Sequence, residues 1–348
     1  LHELGAAARP IPMPGLRVES LAHALRQVVG KSHFAARAQA LSWERFGRTV
    51  TFYLPGVFVV DGRRGRYSSI SITGSACGLR CDHCSGELLK AMPAVRTPSE
   101  LIDICLRLHG QGTLGLLVTG GSDARGRLPW ARFLGALADV KRRTALHLSV
   151  HSGMVDAPTA VALRQAGVDQ ANLDIVGSEE TWRDVIHLPD GAALLDASLD
   201  ALRDAGIEVV PHVIAGLHGG RIVGERGAIE IVRRAPPRLL SFVVMMPLPG
   251  TPMAAATPPE VEDVARLLCE ARLLLPDTEI ALGCARPRGP YRWALERLAL
   301  DAGVNRIALH SDESLEYARS LGLTTRLIET CCSLPADPSR LAHSEVPA

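Results

Sequence analysis

Three cysteine thiols lie close together in the first quarter of the chain and could act as one chemical group. Cys77, Cys81 and Cys84 occur in the stretch ACGLRCDHC with the spacing C-x3-C-x2-C. A disulfide would pair two of them and leave an odd thiol, and structural zinc normally takes four protein ligands. An iron–sulfur cluster held by three thiolates keeps one iron open to a further ligand. The spacing therefore favours an open iron–sulfur cluster, and zinc with a remote fourth ligand is the alternative.

The other five cysteines are of two kinds. Cys105 and Cys269 lie on apolar faces of predicted helices, where a buried structural thiol is the simpler interpretation. Cys284 follows a predicted strand, and Cys331 and Cys332 are adjacent near the end of the sequence. Adjacent cysteines rarely bridge each other, because the bridge strains the intervening peptide. We predict that these last three hold an auxiliary iron–sulfur cluster, with buried or incidental thiols as the alternative.

Bulk composition excludes several classes of partner. The sequence has 348 residues and a formal net charge of +1, with 38 basic against 37 acidic residues. No block of like charge predicts a nucleic-acid or membrane surface, and no apolar run approaches the ~18 residues of a membrane span. The N-terminal stretch lacks a basic-then-apolar secretion signal. We therefore expect a cytoplasmic protein, in which reduced thiols serve metal chemistry rather than disulfides.

The elements that must position these thiols alternate regularly from about residue 67. Short apolar runs that resemble buried parallel strands are separated by helices with start signals such as Thr97, Asp156, Ser178 and Thr257. The runs span residues 68–73, 114–120, 145–151, 171–177, 207–216, 239–247, 278–284 and 305–310. Eight such units predict an α/β fold of the (β/α)8 TIM-barrel type. A doubly wound open sheet is the alternative, but its G-x-G-x-x-G fingerprint is missing after the first strand.

The rest of the chain flanks this barrel. Residues 1–66 are predicted as an N-terminal α+β cap with helices over 20–30 and 33–47 and a short hairpin formed by RTVTFYLP and VFVVDG. The barrel then spans 67–332, and 333–348 form a loosely ordered C-terminal tail.

Functional groups of such barrels lie in the loops after the carboxyl ends of the strands. The three-cysteine loop follows the first predicted strand there, and Cys284 follows the seventh. Arg286 and Arg288 are candidates for the open fourth ligand of the auxiliary group. Three histidines are also predicted near this end, where a structural role is as plausible as a substrate contact: His151, His212 and His218.

The three-cysteine motif after the first strand resembles that of the radical S-adenosylmethionine superfamily, in particular its biotin-synthase-like members. The resemblance implies a 4Fe-4S cluster that binds S-adenosylmethionine and generates a 5′-deoxyadenosyl radical. Gly120-Gly121-Ser122 resembles the G-G-E loop at the methionyl amine, with serine in place of the acid. Asn172-Leu173-Asp174 resembles the ribose-contacting N-x-D motif, and 214–225 resembles the stretch beneath the adenine. The cofactor contacts implied in this way are His83, Gly120, Gly121, Asn172, Asp174, Ile214 and Glu225.

Several further segments resemble subunits of the two-component lipoyl synthase. They are FYLPG, PHVIAGLHGG, PLPGTPM, LGCARPRG and CCSL. This resemblance implies sulfur insertion into an octanoyl-lysine of a lipoyl carrier protein, with a paralogous radical subunit and an electron donor such as ferredoxin or flavodoxin. The alternatives are a radical mutase or C–C cleaving enzyme of the methylornithine synthase or hydrogenase-maturase type, and a non-catalytic metal-binding scaffold.

Overall fold

The computed structural model of the chain describes residues 33–56, 59–60 and 63–335. The helix predicted over residues 20–30 and nearly all of the predicted C-terminal tail lie outside the described residues.

A single parallel sheet of ten strands forms the centre of the fold. Two short strands, β2 and β3, pair with each other outside it. The strands are β1 Thr49–Tyr53, β2 Val59–Val60, β3 Arg63–Arg64, β4 Tyr67–Ser71, β5 Gly115–Thr119, β6 His147–His151, β7 Gln170–Asp174, β8 Glu208–Ala215, β9 Leu239–Val244, β10 Glu279–Leu282, β11 Arg306–Ala308 and β12 Thr324–Ile328. Their order across the sheet is β12-β1-β11-β10-β9-β8-β7-β6-β5-β4.

Helices occupy the crossovers between the parallel strands. They are α1 His33–Phe46, α2 Pro98–Gly110, α3 Trp130–Arg143, α4 Ala157–Gln165, α5 Glu179–Thr181, α6 Gly191–Asp204, α7 Glu225–Arg233, α8 Val261–Leu274, α9 Pro290–Asp301 and α10 Asp312–Ser320. The start signals at Thr97, Asp156 and Ser178 are confirmed, since each side chain accepts a bond from a backbone N–H in the first turn. The capping box predicted at Thr257 is wrong, because α8 begins at Val261 with Glu260 as its N-cap residue.

The two faces of the sheet have different environments because side chains alternate along each strand. One face packs under the helices through side chains such as Ile70, Val118 and Phe242, all fully buried. The opposite face points into the interior of the curled sheet, which we call the lumen. Several lumen side chains, including Leu117 and Val243, are only half-buried. Side chains therefore do not fill the lumen completely.

The predicted α/β barrel fold is confirmed, and each of the eight predicted runs contains a strand. The predicted hairpin is wrong: β1 pairs in parallel with β11 and β12, so it is part of the main sheet. Strand β12 was not predicted, because its sequence TTRLI is polar and most of its side chains are exposed.

The two edges of the sheet approach each other without forming a ladder. The backbone N–H of Gly56 donates to the carbonyl of Tyr67 at 2.8 Å, and that of Arg66 donates to the carbonyl of Glu329 at 2.6 Å. These bonds link the β1–β12 edge to the start of β4 and curl the sheet around the lumen. Among the described residues, no helix is long and apolar enough to cross a membrane.

Candidate functional site

The three-cysteine loop lies directly after β4, at the carboxyl end of the sheet. Cys81 is buried, with its Sγ 3.6 Å from the carbonyl oxygen of Ile186, while Cys77 and Cys84 are half-buried. Hydrogen bonding from the Cys81 thiol lowers the pKa of Cys84 to about 4. The same contact, together with burial, raises the pKa of Cys81. The loop therefore brings together soft ligands, one of which ionises readily, as metal binding requires.

Backbone strain marks the same loop. Arg80 and Ser85 have φ angles of 50° and 44°. Residues other than glycine seldom adopt this left-handed region, and such strain concentrates at functional sites.

Gly121 packs against the loop more closely than any other residue type could. A Cβ atom on it would lie 2.0 Å from the carbonyl oxygen of Ala76 and 2.6 Å from Cα of Cys77. Its N–H donates to Oγ1 of Thr73 at 2.7 Å. Cys77, Gly121 and Ser122 share the lining of a cavity of about 520 Å³. The predicted glycine pair thus lies beside the thiols, with open space in front of them.

Asn172 and Asp174 both point into the lumen from β7. Asn172 is buried and its Oδ1 accepts a hydrogen bond from Nε2 of Gln170 at 2.9 Å. Asp174 is half-buried at the carboxyl end of the strand, beside His212 of β8 in the strand register. The structure therefore places both residues on the wall beneath the three-cysteine loop.

Ile214 and Glu225 line a small cleft next to this wall. Ile214 points inward from β8 and is half-buried. The carboxylate of Glu225 accepts from the backbone N–H of Gly216 at 2.7 Å and of Val223 at 2.8 Å. Burial raises the pKa of this carboxyl. Glu225 therefore shapes the loop between β8 and α7, and its contacts are with backbone groups of this chain.

His83 lies between the thiols and the β7 wall. Its Nδ1 is buried and has no hydrogen-bond partner. Burial opposes protonation, but hydrogen bonding to Cys84 and the charges of Cys84 and Asp174 outweigh it and raise the pKa of His83. The residue therefore joins the loop electrostatically to the lumen wall.

The second group of cysteines comes together inside the lumen. Cys332 is buried in a cluster that includes Tyr53, Val210 and Ala281, and Cys284 packs against this cluster. Cys331 packs against a neighbouring cluster around Tyr67 and Leu334.

Neighbouring thiols shift the pKa values of these cysteines. The Cys332 thiol donates to Cys331 and lowers the pKa of Cys331 to about 6. Burial and then the charge of Cys331 raise the pKa of Cys284. The charge of Cys331 acts on both Cys284 and Cys332, so the three thiols lie near one another.

The structure also bears on the remaining cysteines and on the predicted fourth ligand. Cys105 and Cys269 are buried on helices outside the lumen, and burial raises the pKa of each to about 12. Arg286 is committed elsewhere, because its guanidinium donates to the Glu296 carboxylate and to the carbonyl of Leu309. It is therefore not free to act as the fourth ligand of the auxiliary group.

Sequence reasoning named His212 but missed the other neutral polar groups of the lumen wall. Four inward-pointing side chains carry buried atoms without a hydrogen-bond partner: Ser69 Oγ, Gln170 Oε1, His212 Nδ1 and Ser241 Oγ. Burial and the charge of His151 lower the pKa of His212 to about 4, so this ring is neutral. Buried polar atoms are normally paired, so these four are free to contact a bound molecule. Small polar residues within apolar runs, as in LLSFVV, were the available signal.

The fold of this chain, with three thiols at the mouth of the barrel, matches known structures. A crystal structure of methylornithine synthase matches with a TM-score of 0.59 and 16% identity, covering 93% of this chain and 95% of that chain. The hydrogenase maturase HydG from Carboxydothermus hydrogenoformans matches with a TM-score of 0.62 and 14% identity, covering 89% and 76%. At these identities the likeness shows the fold.

Sequence relatives of the chain are biotin synthases. A biotin synthase from Acidithiobacillus ferrooxidans is 30% identical over 178 residues, 51% of this chain and 55% of the relative. A biotin synthase from Leptothrix cholodnii is 26% identical over 275 residues, 74% and 76%. The first match thus spans about half the length of that relative. No protein-family model matches the chain. Sequence and structure together support a place in the radical S-adenosylmethionine superfamily, among biotin-synthase-like proteins.

Proposed function

We propose that this protein is a radical S-adenosylmethionine enzyme that inserts sulfur at an unactivated carbon. One observation carries the proposal: the fold holds two separate groups of three thiols, one at the mouth of the barrel and one inside its lumen. Removal of a hydrogen atom by the cofactor radical needs only the first group. The second group supplies a place for a cluster that can donate sulfur.

The residues present fit a 4Fe-4S cluster and S-adenosylmethionine at the mouth. Cys77, Cys81 and Cys84 would hold the cluster, and the close approach of Gly121 leaves room for a ligand beside it. When bound, this pair supplies one-electron chemistry that removes a hydrogen atom from an unactivated carbon. The chain itself orients the reacting groups and excludes water.

The lumen wall is the part of the chain that would face both cofactor and substrate. Asn172, Asp174 and Ile214 project from β7 and β8 toward the space beneath the three-cysteine loop. His83 lies next to Cys84 and Asp174 and would restrict water access on that side. Glu225 supports the adjoining loop through its backbone bonds.

The residues in the lumen also fit an auxiliary cluster. Cys284, Cys331 and Cys332 would hold it, and the low pKa of Cys331 favours the thiolate that a metal requires. We propose octanoyl-lysine on a lipoyl carrier protein as the acceptor, a paralogous radical subunit as the partner, and ferredoxin or flavodoxin as the reductant. The sequence resemblance to two-component lipoyl synthase supports this finer assignment.

A second candidate function is a radical mutase or C–C cleaving enzyme. The fold likeness to methylornithine synthase, which covers 95% of that chain, favours it. The two candidates differ in the chemistry expected of the lumen thiols: sulfur insertion requires them to hold a cluster that donates sulfur, whereas the mutase reaction does not.

Anaerobic reconstitution separates the candidates. Sulfur insertion predicts about eight irons per chain and the mutase about four. Cys284→Ser should remove the auxiliary share of the iron and leave reductive release of 5′-deoxyadenosine intact, while Cys77→Ser should abolish that release. An octanoylated carrier domain, offered with and without a paralogue, should gain mass from sulfur. About four irons in the fully loaded wild type, with no such mass gain, would refute sulfur insertion.

A further inference from the structure

Residues 330–335, which we call the thiol segment, enter the lumen after β12 without forming a helix or strand of their own. Thr330, Cys332, Ser333 and Leu334 are each at most 4% exposed. Within the segment, the N–H of Leu334 donates to the carbonyl of Cys331 at 3.1 Å, a single turn. One local turn cannot fix the position of a segment in a lumen that has half-buried walls, so the barrel must supply the anchors.

Arg306 of β11 supplies most of the anchoring. Its side chain is 2% exposed, and Nη1 donates to the carbonyls of both Cys332 and Leu334, the first at 3.0 Å. Nη2 donates to the carboxylate of Glu279 on β10. One guanidinium therefore bonds two carbonyls of the thiol segment and a carboxylate of the barrel wall at once.

Two further side chains complete the attachment. Arg238 donates from Nη2 to the carbonyl of Ser333 at 3.3 Å, and the Tyr53 hydroxyl donates to the carbonyl of Leu334 at 3.4 Å. Arg238 also lies 3.6 Å from Glu279, so both arginines share that carboxylate. These bonds are longer than that from Arg306 to Cys332, and Arg238 is 37% exposed. Arg306 is thus the central anchor.

We propose that Arg306 is a positioning residue that fixes the thiol segment in the lumen and so sets Cys331 and Cys332 beside Cys284. The planar guanidinium offers five donors in a fixed fork, which allows three acceptors to be bound together. Lysine carries its donors on one nitrogen and cannot span the same set. The catalytic meaning of this inference rests on the proposed auxiliary site, but the positioning itself is a property of the polypeptide.

The first test uses the metal-free, reduced full chain and needs no cofactor. Brief alkylation with a maleimide under native conditions, followed by peptide mass spectrometry, reports the access to each thiol. In Arg306→Met, Cys331 and Cys332 should react about tenfold faster than in the wild type, because release of the segment exposes them. Buried Cys105 should keep its slow rate. Arg306→Lys should lie between the two.

Arg272 offers a matched control. It is also fully buried, its Nη1 donates to the carbonyls of Leu275, Pro276 and Thr278, and Nη2 donates to Asn305. Arg272→Met should lower stability without selective exposure of the two lumen thiols. Equal acceleration in both variants, or none in Arg306→Met, would overturn the proposal.

If Arg306→Met does not fold, a second variant tests the same proposal. Arg238→Met removes one bond to the segment, so it should accelerate the alkylation of Cys332 by a smaller factor, again without a change at Cys105. No acceleration in that variant would count against the anchor.

A second test measures iron content and 5′-deoxyadenosine release in the reconstituted protein. Arg306→Met should lose the auxiliary share of the iron while the cysteine loop at the mouth still supports 5′-deoxyadenosine release. Full auxiliary iron in this variant would overturn the positioning role. A wild type with only one cluster would refute the proposed function instead, and the alkylation result would still decide the role of Arg306.

Discussion

Replacement of Gly121 by alanine is the sharpest test of the proposed cofactor site beside the three-cysteine loop. The residue follows β5, and the added Cβ would lie 2.0 Å from the carbonyl oxygen of Ala76 and 2.6 Å from Cα of Cys77. Both atoms belong to the backbone of the three-cysteine loop, so no side-chain rotation can relieve the contact. The loop or the turn after β5 must move.

The size of that movement follows from ordinary contact distances. A carbon–oxygen contact needs about 3.3 Å, so the backbone must shift by roughly 1.3 Å next to Cys77, the first proposed cluster ligand. Metal–ligand distances tolerate only about 0.2 Å. We therefore expect Gly121→Ala to lose about 100-fold in S-adenosylmethionine cleavage, the typical effect of a misplacement of about 1 Å. Overpacking should also lower the free energy of unfolding by about 1–3 kcal/mol.

Gly135→Ala is the matched control for this experiment. Gly135 lies in α3, and an added Cβ would meet no atom within 4 Å, so most of the activity should remain. The measurements are iron per chain, the rate of 5′-deoxyadenosine release and the melting temperature. Wild-type iron and wild-type cleavage in Gly121→Ala would refute the reasoning.

Three further predictions concern stability in the metal-free protein. Since burial first, and then the charge of His151, lower the pKa of His212 from 6.5 to about 4, only the unfolded chain binds this proton between those values. The free energy of unfolding should therefore fall by up to about 3 kcal/mol as pH drops through that window. His212→Gln should reduce this slope, and an unchanged slope would contradict the assignment. Glu225→Ala should cost about 2 kcal/mol in urea unfolding, because two backbone N–H groups lose their acceptor, whereas Glu225→Gln should cost less; equal losses would argue against this acceptor role. Cys105→Ala should cost about 1 kcal/mol with no loss of iron after reconstitution, and a loss of iron would show that this thiol is a ligand.

The strand pattern was readable from the sequence because buried parallel strands are local features. All eight predicted runs contain a strand, and three of the four predicted N-caps form. The exception, Thr257, is followed by two prolines, and the helix starts only after Glu260. Strand β12 escaped prediction because it lies at the edge of the sheet, where exposed side chains remove the apolar signal.

The position of β1 depended on pairing that no local pattern encodes. Thr49–Tyr53 reads as one arm of a hairpin, yet it lies between β11 and β12, whose residues are more than 250 positions away in the chain. Parallel strands require long connections, so their order is set by packing across the whole domain. The same folding places the chain after β12 inside the lumen.

The sequence by itself determined that three thiols at C-x3-C-x2-C follow a barrel strand, because ligand spacing within one loop is a local property. Only the tertiary structure decided that Cys284 and Cys332 share one side-chain cluster near Cys331, and that Arg306 bonds to the thiol segment in the lumen. The physical reason is that these contacts join residues from 26 to 48 positions apart through the order of strands in the curled sheet. The spacing of residues along the chain does not predict whether the segment after β12 packs inside the curled sheet or outside it.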